Sequence, residues 1–275
     1  MILLLALSGA VAWYLNQWKP GEEPETDVEA AVSEESAPMK TVRLVHYGYP
    51  PRNLEELVER YAKAQGGPEK IAQIKSLKLR GVTRQGDQEM EFQQIKRVPS
   101  SSRITLETAQ YELSTITNGD EVWRKFGGRP EVYRVTGEDR ERVLSESQII
   151  SPLWTYRNTP GVLSMMSDEM LDGVIYHRVK VAIPDQPVAV YWIDPETYLE
   201  RQIVTTNAEG GEVVTLFEDY RPLDWLVIPY RVVFMKDGEL VSDIELMTAD
   251  MNIGVFASYF DPPEMTAEWP PKGFN

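Results

Sequence analysis

The feature that most constrains this chain is a succession of short segments in which apolar and polar residues alternate. The central ones are Val174–Ile183, Pro187–Asp194 and Tyr198–Thr206, and Asp-Gly, Asp-Pro or Gly-Gly pairs interrupt the alternation. A period of two with one apolar face is the pattern of a half-buried strand. Short connections between such strands favour antiparallel neighbours. The expectation is a mainly β (α+β) domain built on a strongly curved antiparallel sheet.

Helical periodicity opens the globular part. Asn53 is placed to cap a helix over Asn53–Gln65, Glu56 stands where a capping box needs it, and Leu54, Leu57, Val58 and Tyr61 form one stripe. Gly66-Gly67 stops that helix, and Pro68 starts a second one reaching about Lys75. From Leu77 the period is two. Leu77, Leu79 and Gly81 share a face, followed by Met90, Phe92 and Gln94, then Ile104 and Leu106, then Tyr111, Leu113 and Thr115. Asn118-Gly119 signals a two-residue hairpin before Val122–Phe126. Gly137–Ile149 is charged and helical in character, and Leu153, Trp154 and Tyr156 are available to plug the sheet. Strands resume near Val162 and continue through Val213–Phe217, Ile228–Met235 and Leu240–Thr248, with turns at Asp172-Gly173 and Asp237-Gly238.

Before this domain stands Met1–Trp18, which carries no charged side chain. As a helix it would span roughly 27 Å, just under the hydrocarbon core of a bilayer. Leu3, Leu4, Leu5, Leu7, Val11 and Leu15 would face lipid, with Trp13, Tyr14 and Trp18 at one interface. The segment reads either as a retained anchor or as a signal peptide cut after Ala12. The late aromatics favour the anchor, and the missing positive leader counts against the signal peptide. Residues 19–52 read as an acidic flexible linker: Pro20–Met39 contains seven Asp and Glu residues and no Lys or Arg. The β domain is expected over residues 53–265, with a C-terminal tail at 266–275.

Composition excludes several classes of function. Lys and Arg number 28 against 43 Asp and Glu, so the net charge of −15 disfavours nucleic acid and anionic membrane surfaces alike. Cysteine is absent, which removes disulfides, thiolate metal sites, cysteine nucleophiles and the lipid-bearing cysteine of a lipoprotein. Only His46 and His177 exist, and no zinc, nucleophile-elbow or nucleotide-loop motif occurs. Alternation places His177 on an apolar face, either as a buried hydrogen-bonded histidine or as a group that contacts a ligand. Acid pairs such as Glu55-Glu56 and Asp168-Glu169 read as solvated surface. No catalytic residue, metal or cofactor is expected, and a hydrolase has little support.

Several segments resemble the bacterial outer-membrane lipoprotein-sorting family, relatives of the periplasmic lipoprotein carrier and its outer-membrane receptor. Leu54–Gly81 is similar to the start of such domains, and Asp172–Val181 and Val190–Val204 to two central strand pairs. Ile228–Gly238 and Met251–Pro263 resemble the closing strands. The resemblance implies an incomplete β-barrel covered on one side by helices, with an apolar concave interior that takes lipid acyl chains without covalent chemistry. The expected wall, from face alternation, is Phe92, Leu106, Leu113, Trp123, Val190, Trp192, Ile203 and Leu216. The expected partner is a lipid or acylated protein, at the periplasmic side of the cell envelope, with residues 1–18 as the tether to the cytoplasmic membrane. A rival expectation is an accessory subunit of a membrane complex, using the same fold as a scaffold and the N-terminal helix for docking.

Overall fold

A computed structural model describes residues 47–108, 111–154, 162–184, 186–206 and 210–268. The apolar segment Met1–Trp18, His46 and Tyr156 lie outside the described residues. Among those described, no helix is long and apolar enough to cross a membrane.

Helix α1 (Leu54–Ala64) begins where the sequence places it. Asn53 is extended, and its side chain accepts from the Glu56 backbone N–H at 2.9 Å. The expected reciprocal half of the capping box is displaced by one residue. The Glu56 carboxylate takes the backbone N–H and Nε of Arg52, both at 3.0 Å, and Nη2 of Arg60 at 2.5 Å. The Arg52 backbone bond leads the effects that lower the Glu56 pKa to about 2. At the other end, Gly66 has a φ of +119° and the Gly67 N–H returns to the Ala62 carbonyl at 2.8 Å. Helix α2 (Pro68–Ile71) is shorter than the sequence suggests.

Six strands follow: β1 (Ser76–Gln85), β2 (Gln88–Arg97), β3 (Ser101–Glu107), β4 (Glu112–Thr117), β5 (Val122–Phe126) and β6 (Val132–Arg134). Helix α3 (Gly137–Ser147) separates them from β7 (Val162–Met165), β8 (Glu169–Leu171), β9 (Val174–Ala182), β10 (Ala189–Ile193) and β11 (Glu200–Thr206). The chain continues through β12 (Glu212–Leu223), β13 (Leu226–Lys236), β14 (Glu239–Met251) and β15 (Ala267–Glu268). The order is β15-β6-β5-β4-β3-β2-β1-β14-β13-β12-β11-β10-β9-β7, with β8 also on β9. Two antiparallel meanders are thus joined where β1 meets β14. The exception is β15, which lies parallel to β6, so the sheet extends into the segment expected to be a tail.

Curvature follows from burial. In a flat sheet β3 and β9 would lie about 38 Å apart at a strand spacing near 4.8 Å. Yet inner-face residues across that whole span, from Leu106 to Val179, join one buried cluster with Leu57 and Tyr61 of α1 and with Ile149 and Leu153. An 11-residue helix about 10 Å across cannot cover nine flat strands. The sheet therefore rolls around α1, helped by register shifts at Arg80/Gly81, Trp192/Ile193 and Phe234/Met235. It does not close: β7 and β8 end one side and β15 the other.

Leu153 and Trp154 do plug the sheet as the sequence suggests. Two other expectations change. Asn118-Gly119 sits in a four-residue turn, where the Asn118 side chain accepts from the N–H groups of Asp120 and Glu121 at 3.0 and 2.9 Å. The β12–β13 hairpin runs on past Phe217 to a turn at Asp224, whose φ is +53°.

Candidate functional site

The concave face has an apolar half and a polar half. On the apolar half, α1 is fastened by Glu200 of β11. The buried Glu200 side chain accepts from the Tyr61 hydroxyl, from Gln65 Nε2 at 3.2 Å and from the Tyr220 hydroxyl at 3.4 Å. Burial, then the neighbouring Glu200, pushes the hydroxyls of Tyr61 and Tyr220 well above their ordinary range. Both therefore remain donors.

The polar half lies under α3. Lys96 of β2 is fully buried, and its ammonium donates to the Glu146 carbonyl at 2.7 Å and the Gln148 carbonyl at 3.5 Å. It thus caps the C-terminal end of α3 from inside the sheet, where the helix dipole favours a cation. Arg124 of β5 reaches Asp139 of α3 at 3.2 Å, and Arg142 bridges Asp139 at 2.5 Å and Glu146 at 3.6 Å. Burial lowers Lys96 to about 7 and Arg124 to about 10, and raises Glu146 to about 7.

Lys96 and Glu146 give stability a distinctive pH dependence. Between about pH 4.5 and 7 the folded state keeps the Glu146 proton that the unfolded chain has released. That contribution is full at low pH and is lost as pH rises to 7. Between about pH 7 and 10.5 the unfolded chain keeps the Lys96 proton that the folded state has released. That contribution is present at high pH and is lost as pH falls through 7. Chemical unfolding should show wild type gaining on K96M from pH 7 upward and losing ground to E146Q from pH 5 to 7. Each slope approaches about 1.4 kcal/mol per pH unit. Flat difference curves would refute the burial of these charges.

The structure divides the expected wall residues among different surfaces. Phe92, Leu106 and Ile203 lie together in the main inner cluster. Leu113 belongs to a separate cluster with Val122, Phe126, Tyr133 and Val143. Trp123 faces the outer side, packed with Ile116, Val132 and Phe260 under the returning C-terminal segment. Val190 and Trp192 alternate with Tyr191 and Ile193, which point inward, and Trp192 contacts Tyr176 and Arg178 on the outer face. Leu216 pairs with Gln202 on that same outer face, while Phe217 points inward. On β10 and β12 the inner positions are therefore one residue away from those expected, because both faces of these strands are apolar and alternation cannot choose between them.

His177 is 4% exposed and is inward, as expected. Its Nδ1 faces both Asp168 carboxylate oxygens at 3.1 and 3.2 Å, and its ring stacks on Tyr198 at 6.0 Å. The pair lines a pocket of about 390 Å³ at the rim, with Tyr47, Tyr49, Ile175 and Tyr198. Arg60 lies beneath it. Its guanidinium is 4.2, 4.7 and 5.3 Å from the rings of Tyr47, Tyr49 and Tyr198, and donates to the Tyr49 carbonyl, the Tyr198 hydroxyl and Glu56. The sequence reading missed Asp168 as a partner of His177, and it placed Tyr47 and Tyr49 in the linker. Among the described residues no group of three or more His, Cys, Asp or Glu could hold a metal ion.

No family model and no curated protein sequence matches the chain. Solved structures do. A DUF1329 family protein from Desulfovibrio piger ATCC 29098 superposes with a TM-score of 0.55 at 10% identity, covering 78% of this chain and 98% of that one. A domain described as an outer membrane lipoprotein-sorting protein, from Vibrio parahaemolyticus, gives 0.54 at 10% identity, covering 76% and 96%. A LolA superfamily protein from Nitrosomonas europaea gives 0.54 at 10% identity, covering 76% and 98%. At this identity the likeness establishes the fold: this chain carries the rolled, open sheet of the outer-membrane lipoprotein-sorting and DUF1329 proteins.

Proposed function

We propose that this protein is an extracytoplasmic domain that binds an apolar ligand, a lipid or lipoprotein acyl chain, against the concave face without any covalent step. The observation that carries this reading is the cover of that face. Leu153 and Trp154, which lie beyond the end of α3 rather than on a helix, pack on the inner cluster. Among the described residues the Trp154 indole N–H is buried with no partner, a seat that costs about 1–3 kcal/mol. A hydrocarbon chain brings no such cost and gains about 0.8 kcal/mol per CH₂ removed from water. An acyl chain can thus take the place of these two side chains. Met1–Trp18 would tether the domain to the cytoplasmic membrane, with the acidic linker outside.

Trp154→Ala and Leu153→Ala test this directly. Opening the seat should raise uptake of a fluorescent fatty-acyl probe several-fold, and native mass spectrometry of detergent-free protein should show bound lipid.

A scaffold subunit of a membrane complex is the second reading. It is favoured by how completely Leu57, Tyr61, Ile149 and Leu153 already fill the inner face, each at 1% exposure or less. For a scaffold, both variants lose stability without gaining probe, and the wild type purifies with stoichiometric membrane partners and no lipid.

A further inference from the structure

We infer that the rim pocket built on Asp168 and His177 is a second binding site, apart from the Leu153–Trp154 seat, and that it takes an organic ammonium group. The Asp168–His177 pair presents acceptors to it. Nδ1 of His177 faces a carboxylate, so in the neutral ring Nδ1 carries the proton and Nε2 offers a lone pair. Among the described residues Nε2 has no hydrogen-bond partner, and the ring is locked by burial and by its stack on Tyr198. Asp168, its side chain 37% exposed, has lone pairs to spare after the histidine is served.

The walls suit a cation as well. Tyr47, Tyr49 and Tyr198 are already gathered around the Arg60 guanidinium, whose charge is met by Glu56. Arg60 is 3% exposed and sits behind the rings, so it sets their positions without filling the pocket. Aromatic faces attract cations. Among the described residues that line the pocket, Asp168 is the only Asp, Glu, Lys or Arg. A phosphate or carboxylate would meet the Asp168 carboxylate. An ammonium finds a counter-ion, a second acceptor and an apolar wall in Ile175. Donor matching further favours a primary ammonium over a quaternary one.

The chemistry fits both a free alkylamine and the ammonium head of an aminophospholipid. The test is a titration of the full chain, followed by NMR, with n-butylammonium, tetramethylammonium and butyrate. Separate binding assays use vesicles of phosphatidylcholine alone or mixed with phosphatidylethanolamine. Butylammonium should bind best and butyrate not at all, and D168N should weaken the amine about tenfold. Tyr49 is 55% exposed, so Y49L tests the aromatic wall without touching the core and should weaken binding several-fold. Binding to the mixed vesicles that D168N abolishes assigns the lipid head, and binding of the soluble amine alone assigns a free amine. Equal binding of butyrate, no binding of any amine, or indifference to both D168N and Y49L would overturn the inference. Acyl-probe uptake should be the same in D168N and wild type, which keeps this test independent of the concave-face reading.

Discussion

Glu200→Ala should cost about 2–4 kcal/mol and lower the melting temperature by roughly 10 °C. The reason is what the substitution leaves behind. Glu200 is 1% exposed and is the acceptor for the Tyr61 hydroxyl on α1 and for Nε2 of Gln65, the residue that caps α1. Truncating it leaves these donors in a site that water does not reach, at about 1–3 kcal/mol each. Two contacts soften the loss. Ser151 also bonds the Tyr61 hydroxyl, and Tyr220 keeps its 2.8 Å bond to the Glu200 main-chain carbonyl. Glu200→Gln retains one acceptor oxygen and should cost about half as much. Because Glu200 joins β11 to the helix around which the sheet rolls, the E200A variant should also expose the inner face and bind a hydrophobic dye. Urea unfolding of the two variants measures the difference. A loss below about 1 kcal/mol in E200A would mean that apolar packing alone holds α1.

Legibility in the sequence depended on whether one face of a strand stays wet. On β2 and β3, Phe92 and Leu106 alternate with Glu91, Gln93, Thr105 and Glu107, so the inner positions could be read directly. Asp172-Gly173 and Asp237-Gly238 could be read for a similar reason: each pair adopts the positive φ values that a tight hairpin needs. On β10 the run Ala189–Ile193 is apolar on both faces, and either register satisfies alternation. On β5 the pattern is inverted. Arg124 points inward because Asp139, on a helix fifteen residues away, supplies its counter-charge, and Trp123 points outward because the C-terminal segment returns to cover it. Neither partner is visible from within the strand. The rim pocket was half legible. Alternation turns His177 inward, but Asp168 looks like any exposed acid in a chain this negative, and Tyr47 and Tyr49 fall within the expected linker.

Gly81→Ala should be the most damaging single methyl group in the domain, costing about 3 kcal/mol. Gly81 lies at the register shift in β1, on the strand pair that joins the two meanders. A Cβ there would stand 2.1 Å from the Glu245 carbonyl oxygen and 2.9 Å from Cε1 of Phe92. The second contact is with a side chain that can turn away. The first is with the backbone of β14, which can retreat only by opening the ladder between β1 and β14. The clash should therefore survive removal of the ring. F92A should not rescue G81A, and the two losses should add within about 0.5 kcal/mol. Gly254→Ala is the control, since a Cβ there meets nothing within 4 Å. If F92A instead restored G81A, the side chain would be the obstacle, and the close approach of the two backbones at this joint would be wrong. If G81A behaved like G254A, the joint would be looser still. The rolled sheet would then owe its curvature to its contents, α1 and the Leu153–Trp154 plug, rather than to the bulge where the meanders meet.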